Sequence, residues 1–114
     1  MPMNETYAVS APSRDEVDTL EGLTLLEFGT DWCGHCRTAQ PLLAQAMAAR
    51  DIRHLKIEDG PGRPLGRSFR VKLWPTLILM RHGEEVARVV RPGDIQAIER
   101  LLSQAGRATD QGAS

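Results

Sequence analysis

Both cysteines of the chain fall in one five-residue stretch, Trp32-Cys33-Gly34-His35-Cys36, and its surroundings constrain the fold more than any other feature. Just before it, Leu23 to Phe28 is a nearly continuous apolar run, interrupted only by Thr24 and Glu27. That is the pattern of a strand buried in the middle of a sheet. Just after it, Ala39, Leu43, Ala46 and Met47 recur at helical spacing in a segment ending at about Arg50. Pro41 falls inside that helix and is expected to kink it, since it removes one backbone donor. The cysteine motif therefore opens a helix. Unpaired N–H groups at a helix start stabilise negative charge, and a thiolate is the nucleophile of disulfide exchange. The placement predicts Cys33 at the helix N-terminus with its sulfur exposed. Cys36, one turn on, is expected to be more buried and close enough to form an internal disulfide. An imidazolium at His35 would favour the Cys33 thiolate and stabilise the reduced form, whereas Asp31 would oppose it by like-charge repulsion.

The rest of the chain alternates in the same way. Thr6 to Val9 suits a short edge strand, and Ser13 with Glu16 has capping-box spacing for a helix to about Glu21. In Ile52 to Ile57, Ile52, His54 and Lys56 alternate with Arg53, Leu55 and Ile57, which is strand-like. Gly60-Pro61-Gly62 marks a loop, and Pro64 can open a short helix with Leu65 and Phe69 on one face. Thr76 to Met80 reads as a buried strand, His82-Gly83 as a hairpin turn and Val86 to Val90 as its antiparallel partner. A last helix is expected from about Asp94 to Ala105, with Ile95, Ile98 and Leu102 on one face, followed by a small, polar, frayed tail from residue 106 or 107 to 114. With no internal repeat and no linker, the 114 residues are expected to form a single α/β domain.

Composition narrows the chemistry. Fourteen Lys and Arg against fifteen Asp and Glu leave a net charge of −1, so there is no electrostatic case for nucleic acid. No apolar run approaches the roughly 18 residues that span a bilayer, so no membrane partner is expected. Two cysteines supply neither a disulfide-rich scaffold nor four-thiolate zinc coordination. A zinc site would have to recruit His54 and His82, which lack a second-pair spacing, so no metal is expected. Two inert buried cysteines are the other alternative, disfavoured by the Trp and Gly at a helix start. Met1 to Ser13 carries no Lys or Arg and no apolar stretch of secretory type, and a cytoplasmic location is the expectation.

Taken with its flanks, the motif resembles the thioredoxin superfamily over about residues 6 to 105. Leu25-Leu26-Glu27-Phe28, Trp32-Cys33-Gly34-His35-Cys36 and Pro41 are similar to the family's active-site strand and helix. Trp74-Pro75-Thr76 is similar to its cis-proline loop, and His82-Gly83-Glu84 to the hairpin that follows. The resemblance implies a thioredoxin fold: a central mixed sheet of four to five strands with helices on both faces. It implies a buried acid at Glu27, able to take the proton of Cys36, and a partner for it at Lys56 on the neighbouring strand. It implies that Pro75 is the cis proline, presenting the backbone of Trp74 to an extended substrate beside Cys33. The substrate surface would then comprise Trp32, Gly34, Trp74 and Thr76, with Arg91 beside the groove and able to prefer an acidic partner.

Three departures qualify the likeness. Gly-His between the cysteines is the pair typical of protein disulfide isomerases, which shifts the couple from about −270 mV toward about −180 mV. Gly29 stands where the family usually has Trp or another aromatic, and Arg91-Pro92-Gly93 replaces a groove glycine. The expected function is a monomeric dithiol–disulfide oxidoreductase that reduces protein disulfides and needs no cofactor beyond the Cys33–Cys36 disulfide. Its partners would be disulfide-containing proteins and a reductase or thiol electron donor. The alternatives are an exported oxidase or isomerase whose signal has been removed, and a partner-binding module or maturation chaperone of the same fold.

Overall fold

A computed structural model describes residues 3–8, 10–48 and 50–113, the last eight of these as backbone only. The elements follow in the order α1 (Arg14–Asp18), β1 (Leu23–Gly29), α2 (Gly34–Met47), β2 (Arg53–Glu58), α3 (Pro64–Ser68), β3 (Thr76–Arg81), β4 (Glu84–Val90) and α4 (Ile95–Ala113). Four strands form one sheet in the order β2-β1-β3-β4. β1 and β2 run parallel, while β3 lies antiparallel to β1 and β4 antiparallel to β3. This is the thioredoxin fold.

Side-chain alternation along the central strands splits the core into two layers. Leu25, Leu77 and Leu79 face Leu43, Ala46 and Met47 of α2 and Ile98, Leu101 and Leu102 of α4. Leu26, Phe28, Ile78 and Met80 face Val17 of α1 and Leu65 and Phe69 around α3. Helices thus cover both faces of the sheet. Glu27, two residues from Leu25, necessarily points into the α2 layer, where it is 1% exposed.

Local chemistry sets the boundaries. Ser13 and Glu16 make both bonds of the capping box, and α1 ends at Asp18, short of Glu21. α2 continues through Pro41 without interruption and ends at Met47 rather than Arg50. His82 and Gly83 both take positive φ, the conformation that a tight hairpin needs. The edge strand expected at Thr6–Val9 is absent over Thr6–Ala8, where the segment makes one ladder-type bond, Ala8 N–H to Lys56 O at 3.0 Å. Val9 lies outside the described residues. α4 continues past Ala105, and the side chains of the tail expected from residue 106 also lie outside them. Among the described residues no helix is long and apolar enough to cross a membrane.

Candidate functional site

The site forms where β1 runs into α2. Cys33 is the N-cap of α2, in extended backbone geometry, and its Sγ accepts the Cys36 N–H at 3.2 Å. An N–H aimed at sulfur at a helix start is the bonding that supports a thiolate. Both thiols are free. Cys33 is less buried than Cys36, at 8% against 2% exposed, but its sulfur is not open as the sequence suggested. The reason is the loop before β3, which packs over it: Trp74 O lies 4.0 Å from Cys33 Sγ. Burial, and then the hydrogen bond with Cys33, push the Cys36 thiol up to about 12, while the Thr30 backbone N–H pulls the other way. Gly34 and His35 are exposed on the first turn, and a Cβ at Gly34 would meet open space, so nothing in the fold blocks approach there.

Beneath the cysteines lies a closed polar network. Glu27 Oε1 meets His54 Nε2 at 2.8 Å, and Glu27 Oε2 accepts from Gln40 Nε2 at 2.6 Å. His54 Nδ1 accepts the Asn4 backbone N–H at 2.8 Å, which leaves the ring proton on Nε2 to donate to Glu27. Gln40 Nε2 also reaches Cys36 O at 3.1 Å, and Gln40 Oε1 accepts from Lys56 Nζ at 2.9 Å. Lys56 therefore does not pair with Glu27 directly, although the two are register partners across β1 and β2. The Gln40 amide stands between them, and Lys56 completes its shell on Glu5 O at 3.0 Å. A buried acid, a buried lysine and a buried histidine are each satisfied in this way.

His54 and Gln40 escaped the sequence reading as members of this network. Their signals were present: His54 shares a strand face with Lys56, and Gln40 lies one helical turn after Cys36. As for metal, His54 is committed to Glu27, and His82 Nδ1 accepts from Gly22 N at 3.0 Å on the hairpin. Among the described residues no three or more His, Cys, Asp or Glu side chains gather as a metal site.

The rim is aromatic. Trp32 is 72% exposed and meets Trp74 edge-on, with ring centroids 5.5 Å apart and planes at 78°. The Trp74 indole N–H donates to Asp59 Oδ2 at 2.8 Å, so Trp74 is a half-buried wall rather than a core aromatic. The Trp74–Pro75 peptide is cis, as the resemblance implied, and Pro75 is buried. Arg91 is exposed at the groove, where its backbone N–H donates to Pro75 O and its Nε–H to Trp74 O, both at 2.9 Å. Thr76 departs from expectation. It is 1% exposed, and its hydroxyl donates to Leu73 O at 2.6 Å, so it braces the loop from inside instead of facing substrate.

Comparison with known proteins agrees with this geometry. The Thioredoxin family model matches residues 8–104. Reduced thioredoxin 2 from Pseudomonas aeruginosa PAO1 is 58% identical, with a TM-score of 0.82 over 92% of this chain and 99% of that one. The thioredoxin of Chlamydia pneumoniae is 36% identical over 87 residues, 73% of this chain and 82% of its own. Thioredoxin H2-1 of Oryza sativa subsp. japonica is 37% identical over 70 residues, which span 60% of this chain and half of the rice protein. The chain belongs to the thioredoxin family. With its Cys33–Cys36 pair it is a thiol–disulfide oxidoreductase that reduces disulfides.

Proposed function

We propose that Cys33 is the attacking nucleophile and Cys36 the resolving thiol of a reductive cycle on protein disulfides. The observation that carries this assignment is the asymmetry of the pair: Cys33 Sγ caps α2 and accepts an N–H, while Cys36 lies deeper with its thiol pushed up to about 12. The Cys33 thiolate attacks one sulfur of the substrate, which joins Cys33 as a mixed disulfide while the other sulfur leaves as a thiolate. Cys36 then gives up its proton and attacks Cys33 Sγ, forming the Cys33–Cys36 disulfide and releasing the second substrate thiolate. Two electrons pass to the substrate, and no cofactor enters.

Glu27 is the proton acceptor in this reading. Its charge acts on Cys36, and Gln40 ties its carboxylate to the Cys36 carbonyl. Lys56 and His54 hold Glu27 in place, Lys56 through Gln40. Trp32, Trp74 and the exposed Gly34 form the docking surface with His35 beside them, Pro75 sets the backbone that an extended substrate pairs with, and Arg91 places positive charge beside the nucleophile. The partners are disulfide-bearing proteins and a reductase or small thiol that regenerates the dithiol. A reducing compartment such as the cytoplasm suits that cycle, because it keeps even an isomerase-like pair mostly reduced.

The test uses insulin as the disulfide substrate. Cys33→Ser is expected to abolish reduction, and Cys36→Ser to accumulate a covalent protein–substrate adduct visible by mass spectrometry. Undiminished reduction by Cys33→Ser would overturn the assignment.

A further inference from the structure

The family's usual aromatic at the end of the active-site strand is missing, because position 29 is glycine. Two groups from elsewhere occupy the space this opens. A Cβ built on Gly29 would lie 2.5 Å from Cys36 Sγ and 2.8 Å from the Tyr7 hydroxyl. Both are inside the distance at which a real Cβ is tolerated, so any larger residue at 29 would displace the sulfur, the phenol or both.

Tyr7 arrives from the segment that runs beside β2, anchored one residue on by Ala8 N–H to Lys56 O. Its ring lies under Lys56 Nζ, 4.7 Å from the centroid, and its hydroxyl shares with Cys36 Sγ the space over Gly29, where each acts on the other. We propose that Tyr7 is a catalytic residue for the resolving step, donating its O–H to the Cys36 thiolate as that thiolate forms. This deepens the reading of Cys36 as the resolving thiol and rests on it.

The chemistry is simple to balance. Cys36 S–H loses its proton to the base, the Cys33–Cys36 bond forms, and the bond from Cys33 to the substrate sulfur breaks. Tyr7 keeps its own proton throughout. Burial, together with the neighbouring Cys36, Glu27 and Asp31, moves its phenol far above the ordinary range, so it remains a donor whenever Cys36 is an anion. The Thr30 backbone N–H acts on the same sulfur. Cys36 thus has two donors awaiting a charge that its burial otherwise opposes, and a hydrogen bond to an ionised acceptor is roughly twice as strong as a neutral one. The charged or titratable groups acting here are Cys33 at the cap, Glu27 from β1, Asp31 from the turn and Lys56 from β2.

Dithiobis-nitrobenzoate separates the two chemical steps, because it releases one coloured thiolate when Cys33 attacks and a second when Cys36 resolves. In Tyr7→Phe, which keeps the ring under Lys56, the ratio of second-phase to first-phase rate is expected to fall about tenfold, as for loss of one charge-assisted bond. The pH at which the second phase reaches half its limit is expected to rise by about one unit. A ratio within twofold of wild type, at unchanged pH dependence, would overturn the role of Tyr7 alone. Second-phase release that persists in Cys36→Ser would instead overturn the reading of Cys36 as the resolving thiol. A probe that leaves the fold intact comes from composition: Tyr7 is the chain's single tyrosine, so biosynthetic fluorotyrosine labels it alone. Its fluorine resonance is expected to shift between the dithiol and disulfide forms and to follow Cys36 ionisation, and a resonance blind to both would count against the contact.

Discussion

Glu27 and Lys56 face each other across the β1–β2 ladder, and the Gln40 amide, reaching in from α2, bridges them with its oxygen on the lysine and its nitrogen on the acid. The relationship makes the acid's surroundings depend on three elements at once, two strands and the active-site helix. It also leaves the other carboxylate oxygen to meet His54.

Replacing His54 with Leu would strand Glu27 Oε1 in a nearly dry interior and take the acceptor from the Asn4 N–H. Removing one partner of a buried, hydrogen-bonded pair costs about 3–5 kcal/mol. The expected result is a urea midpoint lowered in proportion at unchanged slope, with part of the loss recovered in the Glu27→Leu/His54→Leu double variant. A loss below about 1 kcal/mol would mean that Glu27 does not lean on His54.

A second expectation concerns alkaline pH. Cys36 has a folded-state value of about 12 against an ordinary value of 9.0. Above pH 9 the unfolded chain gives up this proton while the folded chain keeps it, so the unfolded state binds fewer protons and stability falls as pH rises toward 12. Below pH 9 both states hold the proton and the contribution is fully present. Comparing Cys33→Ser with Cys33→Ser/Cys36→Ser isolates the group. The difference between their unfolding free energies is expected to fall by about 1.4 kcal/mol per pH unit above pH 9, over a window that ends short of 12 because Cys33, which helps raise the Cys36 thiol, is gone. A flat difference would show that Cys36 ionises as freely in the folded chain as in the unfolded one.

The Arg91 side chain donates Nε–H to Trp74 O, which fixes its guanidinium at the groove beside the nucleophile. In Arg91→Gln the KM for a disulfide peptide flanked by Asp or Glu is expected to rise about fivefold, the equivalent of about 1 kcal/mol, with kcat changed less than twofold. A neutral peptide should respond much less. Equal effects on both peptides would make Arg91 a brace for the loop and not a selector of charge.

The strands, the helix carrying the cysteines and the hairpin were legible because each announces itself locally, by alternation, capping chemistry or turn residues. The cysteine pair and the cis proline were legible by resemblance. What escaped was polar and non-local. Nothing near His54 in sequence says that its ring meets Glu27, 27 positions away, and Gln40 looks like an ordinary helix residue until Lys56 and Glu27 are seen on either side of it. Tyr7 was hidden for the same reason. Gly29 marked a space without saying what fills it, and the filler comes from Thr6–Val9, a segment expected to be an edge strand.

Asp59 receives the Trp74 indole on its side chain while its backbone N–H donates to Gly29 O, 2.9 Å away at the end of β1. One residue thereby fastens the aromatic wall of the groove to the strand that leads to the nucleophile. Immobilising a freely rotating side chain on association takes about 0.5–1.5 kcal/mol of conformational entropy. At Trp74 that loss has already been incurred on folding, so an incoming chain meets a surface with one fewer rotor to freeze. Selectivity among partners then falls more heavily on Trp32, the large ring that still stands in solvent with only the edge of Trp74 against it.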